Sequence, residues 1–202
     1  MQDKDWTGNS HSIYVTLGAS NHTEKDRADK DYYATEPKAT ELLLAEEAFS
    51  KKVWEPACGG GHMAKVLIEH GYDVRCTDIT EREMGNVPYD GNLDFLKYSG
   101  KYDGDIITNP PYKIALDFIK KAIDVIETGH KVAMFLKLQF LEGKSRKNFF
   151  LEHPPQTVYV SSSRLICAGN GDFEKYKSSA VAYAWFVWQK GYKGDTVIRW
   201  IN

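Results

Sequence analysis

No stretch of this 202-residue chain approaches the ~18 consecutive apolar residues that a membrane-spanning helix requires, so a helical membrane protein is not read. Cysteine is scarce. Cys58, Cys76 and Cys167 are odd in number and lack metal-ligand spacing, which excludes a disulfide scaffold and a zinc site and makes a reducing cytoplasm the expected setting. The first ten residues are polar and acidic and do not read as a secretory leader. Internal repeats and Pro/Ser-rich linkers are also missing. What remains fits one domain with a true core, residues 32–202, preceded by an arm, residues 1–31, too polar to pack firmly.

The formal net charge of -2 conceals an uneven distribution. Residues 1–112 carry 12 Lys+Arg against 20 Asp+Glu, and residues 113–202 carry 14 against 8. The second half is therefore basic, a balance compatible with a phosphate backbone and equally with plain solvated surface. Lys144, Arg146 and Lys147 form its one small cluster; Arg164 and Lys177 are further candidates for phosphate contact.

From residue 37 to about 152, helical and strand patterns alternate. Thr35-Glu36-Pro37 signals a helix start, with Thr35 or Glu36 as cap and Pro tolerated in the first turn. Strands are read at 53–55, 73–77, 105–108 and 131–138, and helices at 62–70, 114–126 and 144–152. The stretch 80–102 reads as loop with one helical turn. Two late strands, 158–160 and 180–188, read as antiparallel partners across a polar loop and hang a hairpin on one edge. Alternation of this kind predicts a mostly parallel sheet with helices on both faces.

The chain's chemistry gathers around Asp105-Ile106-Ile107-Thr108-Asn109-Pro110-Pro111-Tyr112. A buried β-branched strand runs into two prolines that cannot extend a ladder, so an amide and a phenol stand at a strand's carboxyl end, where open α/β sheets place ligands. The Asn109 side-chain oxygen and the Pro110 carbonyl are acceptors suited to the two hydrogens of one exocyclic amino group, and Tyr112 offers a stacking face. These residues resemble the fourth motif of amino-methyltransferases that use S-adenosylmethionine, above all DNA adenine-N6 methyltransferases.

A second constellation is Glu55-Pro56-Ala57-Cys58-Gly59-Gly60-Gly61, between a strand and a helix. Such a loop is ambiguous, because Gly59-x-Gly61-x-x-Ala64 also fits a relaxed dinucleotide fingerprint. Glu55-Pro56 discriminates: an acid there can attract the ammonium of a methionine moiety and is out of place beside a pyrophosphate. The stretch resembles the first motif of the same enzymes. The resemblance implies that Asp78, at the end of the next strand, accepts from the ribose hydroxyls, with Ile79 beside it. Asp94-Phe95 resembles the third motif, on the cofactor's adenine. Tyr32-Tyr33-Ala34-Thr35 resembles the tenth, closing over the methionine end. The order of motifs is that of the gamma-type enzymes.

The resemblance thus implies a Rossmann-like class I methyltransferase fold, seven strands with a reversed C-terminal pair. It implies S-adenosylmethionine as cofactor, no metal, and DNA as substrate with the target base flipped out. Cytosine-N4, RNA guanine-N2 and protein glutamine carry the same kind of nitrogen and stay open, as does a non-catalytic nucleic-acid-binding module. No segment is long enough for a separate target-recognition domain, so an accessory specificity or restriction partner is also expected as an option.

Overall fold

The computed structural model describes residues 32–176, 179 and 181–202. The expected arm, residues 1–31, and the phosphate candidate Lys177 lie outside these described residues, as does Ala180 at the expected start of the last strand.

Chain order is β1 (Tyr33–Thr35), α1 (Pro37–Glu46), β2 (Lys52–Glu55), α2 (His62–Glu69), β3 (Asp73–Cys76), β4 (Asp105–Thr108), α3 (Ala115–Val125), β5 (Lys131–Lys137), α4 (Lys144–Glu152), β6 (Thr157–Ser161), β7 (Cys167–Gly169), β8 (Tyr183–Gln189) and β9 (Val197–Ile201). Short 3-10 turns at Phe95–Lys97, Tyr112–Ile114 and Leu138–Leu141 interrupt the connections. The main sheet has seven strands in the order β3-β2-β4-β5-β8-β6-β9. The pairs β2–β3, β2–β4, β4–β5 and β6–β9 are parallel; β8 runs antiparallel to both β5 and β6.

The expected mostly parallel sheet with an antiparallel late pair is therefore present. Its placement differs from an edge hairpin. β8 is inserted between β5 and β6, and its run of buried residues explains why: six of its seven positions are buried, as an interior strand demands. The edge belongs to β9, whose first four residues are exposed.

Period-two alternation splits the core cleanly. Val132, Met134 and Leu136 of β5, with Ile106 of β4 and Phe186 of β8, face α3 through Phe118, Ile119 and Ala122. Ala133, Phe135, Ile107 and Trp185 face the opposite side, against Ala39 and Leu43 of α1 and Met63 and Leu67 of α2. Helices thus cover both faces, and the strands read as continuous apolar runs because both of their sides are buried. Trp185 satisfies its indole N–H on the Ala39 carbonyl at 2.7 Å, pinning α1 to the sheet.

The segment expected as a polar loop between the last two strands holds β7, which pairs antiparallel with β1 as a separate two-stranded sheet. Leu165, Cys167 and Ala168 are buried, so this connection is part of the packed structure. The start of α1 also differs in detail. Glu36 is the N-cap residue, yet its side chain makes no capping bond and instead accepts the Ile166 N–H at 2.5 Å. The capping group is drawn off to fasten the chain before β7 to the chain after β1.

Candidate active site

β2, β3 and β4 are mutually parallel, so their carboxyl ends lie on one edge. That geometry delivers Glu55, Asp78 and Asn109 to a single cleft of roughly 900 Å³, its open mouth included. Its walls take in Pro56, Ala57 and Cys58 from the glycine turn, Ile79 beside Asp78, Asp94 with Phe95, and Pro110, Pro111 and Tyr112 after Asn109. Tyr33 and Thr35 close it from β1. Of the catalytic and cofactor candidates read from the sequence, Gly59 and Gly61 alone do not line it.

Asn109 is held in one orientation. Its Nδ2 donates to the Tyr33 carbonyl and to Thr35 Oγ1, both at 3.0 Å, with Cys167 Sγ at 3.7 Å. A carbonyl only accepts, so the amide atom facing Tyr33 must be the nitrogen. The oxygen is thereby fixed as the other corner of the amide. Among the described residues, nothing donates to Asn109 Oδ1 or to the Pro110 carbonyl. Two acceptors on a rigid Pro-Pro turn are left unused on the cleft wall.

Glu55 is 3 % exposed, and its Oε2 is buried without a hydrogen-bond partner. Burial pushes this carboxyl well above the ordinary glutamate range; a hydrogen bond from the Ala64 backbone opposes the shift and the nearby Asp78 charge adds to it. An orphaned carboxylate oxygen on a cleft wall is a place for a cation. Asp78 is better satisfied: Oδ2 accepts the Gly59 N–H at 2.8 Å and Oδ1 the Thr80 N–H at 2.9 Å. Each oxygen keeps a further lone pair for a hydroxyl.

The glycine turn is engaged by Tyr32, the first residue of the stretch that resembles the tenth motif, though nothing in the sequence points to this contact. Tyr32 Oη accepts the Gly60 N–H at 2.9 Å and lies 3.3 Å from His62 Nδ1, while the Arg82 guanidinium sits 4.4 Å over its ring. Burial lowers the His62 pKa, which favours the neutral imidazole beside the phenol. Gly59 has φ +53, and a Cβ there would collide with the Tyr32 ring. The glycine is required by left-handed backbone and by close approach of this tyrosine, rather than by the cleft itself. Cys58 is a buried packing residue, its Sγ 3.8 Å from Met84 Sδ, and burial pushes its thiol far up.

Asp94 caps the turn at Phe95–Lys97, accepting the Leu96 N–H at 3.2 Å, and pairs with Lys97 at 3.0 Å. That lysine holds its carboxyl below the usual range. Phe95 is buried edge-on against Trp54 at 5.2 Å, so it is core as well as wall. Tyr112 is not turned outward as a free platform: its hydroxyl donates to Cys167 Sγ at 3.3 Å, and its ring lies between Tyr33 and Tyr183, each 6.1 Å away.

No protein-family model and no curated protein matches the sequence. Solved structures do match in shape. A predicted O-methyltransferase from Agrobacterium tumefaciens superposes with a TM-score of 0.58 at 12% identity, over 82% of this chain and 85% of that one. A provisionally assigned class I S-adenosylmethionine-dependent methyltransferase from Listeria monocytogenes gives 0.54 at 11%, over 81% of this chain and 62% of the other. A provisionally assigned RNA methyltransferase from Pyrococcus horikoshii gives 0.53 at 14%, over 76% and 83%. The fold is that of class I methyltransferases. Identities this low speak for the fold alone, and the chain spans less than two thirds of the Listeria protein's length.

Within that fold the cleft offers three distinct surfaces. Glu55 suits a cation and Asp78 a diol. Ile79, 68% exposed at the mouth, and Leu93 offer apolar area to a flat ring. His62, Arg82, Ile114 and Phe118 also line it. His62 was legible only as a neighbour of the glycines, and the others carried no signal beyond core or surface character. Among the described residues there is no cluster of three or more His, Cys, Asp or Glu able to hold a metal, and no helix long and apolar enough to cross a membrane.

Proposed function

We propose that this domain transfers a methyl group from S-adenosylmethionine to an exocyclic amino nitrogen, the N6 of adenine in DNA. The observation that supports it most is the clamped Asn109 amide, with an unused oxygen beside the Pro110 carbonyl in the same cleft as the orphaned Glu55 carboxylate.

The residues fit the cofactor. Glu55 meets the methionine ammonium, Asp78 the ribose hydroxyls, and Ile79, Asp94 and Phe95 the adenine, with Tyr33, Thr35, Pro56, Ala57 and Cys58 as walls. When bound, the cofactor supplies an electrophilic methyl group on sulfur. The protein's own task is to make a poor nucleophile better. Asn109 Oδ1 and the Pro110 carbonyl accept the two amino hydrogens, drawing the nitrogen toward a pyramidal shape and freeing its lone pair. Positive charge that grows on the nitrogen strengthens both hydrogen bonds, so the pair favours the transition state over the ground state. Pro111 keeps the turn rigid, and Tyr112 lends a ring edge to the base. No strong general base is required, because the product ammonium is acidic. A base in a duplex would be extruded first, at a few kcal/mol. The gamma-type motif order favours DNA.

Thr35→Val should slacken the clamp: one hydrogen bond lost, about 1 kcal/mol, lowers kcat several-fold while cofactor affinity measured by calorimetry stays unchanged. Asp78→Ala should weaken the cofactor more than the nucleic acid; unaltered cofactor affinity would remove Asp78 from the site. The test of the reading as a whole is incubation with methyl-labelled S-adenosylmethionine and separate DNA, RNA and protein pools, followed by digestion of the labelled pool. N6-methyladenine in DNA is the expected product. Label on cytosine-N4, RNA guanine-N2 or glutamine would redirect the substrate, and no label in any pool would leave a binding module.

A further inference from the structure

A second hollow, roughly 740 Å³ with its open mouth, shares a wall with the first: Tyr112 lines both. Its other walls include Leu136 and Lys137 at the carboxyl end of β5, Gln139 and Phe140 on the following turn, and Arg146 on α4. β4 and β5 are parallel, so Lys137 and the Asn-Pro-Pro-Tyr turn stand on the same edge of the sheet.

Lys137 is half-buried, and its Nζ lies 4.9 Å from the centre of the Tyr112 ring. Among the described residues, no carboxylate or carbonyl accepts from it. A partly desolvated ammonium held only by an aromatic face lacks the acceptors that three N–H donors call for. The neighbouring cation is committed differently. Arg146 Nε donates to the Phe140 carbonyl at 2.8 Å and Nη2 to the Glu142 carbonyl, and its guanidinium stacks 4.7 Å over Phe140. That bonding builds the rim of the hollow and brings a second positive charge to it. Glu142 is the one acid on the wall, and it is exposed.

The charges of α4 point the same way. Its first turn holds Lys144, Arg146 and Lys147 with no acid, and its last turn has no base, the reverse of what the helix dipole favours. An anion in the hollow would satisfy Lys137 and offset that arrangement together.

We propose that this second hollow is an anion site, in which Lys137 binds a backbone phosphate of the nucleic acid beside the target nucleotide. The proposal rests on the nucleic-acid reading above and assigns to it a residue outside the Asn109 cleft. Tyr112 then separates two tasks: amine chemistry on one side, backbone anchoring on the other.

The test uses the full chain and a fluorescein-labelled, mixed-sequence single-stranded DNA, titrated over a range of salt concentrations with wild type, Lys137→Gln and Lys137→Arg. Lys137→Gln should bind about fivefold to tenfold more weakly near 0.1 M salt, and the slope of log K against log salt should fall by about 0.7, one phosphate's worth on a single strand. Lys137→Arg should restore the slope. S-adenosylmethionine affinity should be the same in all three, which also reports that each variant is folded. A wild-type slope in Lys137→Gln overturns the anion site even if the enzyme methylates DNA. Wild type that methylates only protein and binds no DNA overturns the nucleic-acid reading, and the site falls with it.

Discussion

Asn109→Ala should lower methyl transfer by at least about 10²–10³-fold while S-adenosylmethionine still binds. The acceptor that strengthens as charge grows on the nitrogen is gone, but Glu55 and Asp78 are untouched. The clamp sharpens the prediction. Asn109 Nδ2 faces the Tyr33 carbonyl, which can only accept. Asn109→Asp places a second acceptor against that carbonyl, so an isosteric oxygen is not enough. The carboxylate would be repelled out of register, and only its protonated form could mimic the amide. Asn109→Asp should therefore be nearly as inactive as Asn109→Ala at neutral pH, and should regain part of its activity as pH falls. Single-turnover rates with labelled cofactor, beside calorimetric cofactor affinities, decide the matter. Turnover like wild type in Asn109→Ala would remove the amino-acceptor mechanism.

Much of this site was legible because of a property of parallel sheets. Strands buried on both faces announce themselves as short apolar runs, as at Ile106-Ile107 and Val132 to Leu136, and the residues after each run land on one edge. Glu55, Asp78 and Asn109, far apart in sequence, meet for that reason. The clamp on Asn109 was not legible. One of its holders is a backbone carbonyl, which every residue possesses, and the other belongs to a three-residue strand. β1 and β7 exist because they pair with each other. Cys167-Ala168-Gly169 has no strand propensity of its own, and its identity is conferred by burial against Tyr33–Thr35. β9 is a different case. Val197, Ile198 and Trp200 carry the right composition after the turn at Lys190-Gly191, but four exposed positions give no alternation to read. Its parallel pairing with β6, with β8 antiparallel on the other side of β6, is a fact of topology that composition does not encode. Tyr32 was legible as part of the tenth-like stretch, but its partner was not: the glycines signalled close approach, and the approaching group is a side chain of this chain.

Glu55→Gln should move fold stability and cofactor affinity in opposite directions. In the ligand-free protein the carboxyl is buried with one oxygen unpartnered, and its pKa is raised. The folded state therefore holds this proton at a pH where the unfolded chain, with an ordinary glutamate near pH 4.3, has released it. Linkage sets the sign: stability from this group is full below that ordinary value and declines as pH rises through the folded-state pKa. A neutral amide removes the dependence. Glu55→Gln should stabilise the ligand-free domain at neutral pH by about 1–3 kcal/mol, because a neutral amide need not take up a proton on folding. Its melting temperature should also vary less between weakly acidic and weakly alkaline buffer. Cofactor binding runs the other way. An ammonium beside Glu55 favours the ionised carboxyl, so binding to the wild type releases a proton and tightens with rising pH, up to about tenfold per pH unit below the shifted pKa. Glu55→Gln loses the charge pair, about 2 kcal/mol or more, and should bind S-adenosylmethionine at least about thirtyfold more weakly, with a flat pH profile. Thermal melts and calorimetry across pH measure both halves. A variant less stable than wild type, with unchanged cofactor affinity, would mean that Glu55 is a structural acid whose oxygen finds its partner within the protein and has no part in holding the methionine end.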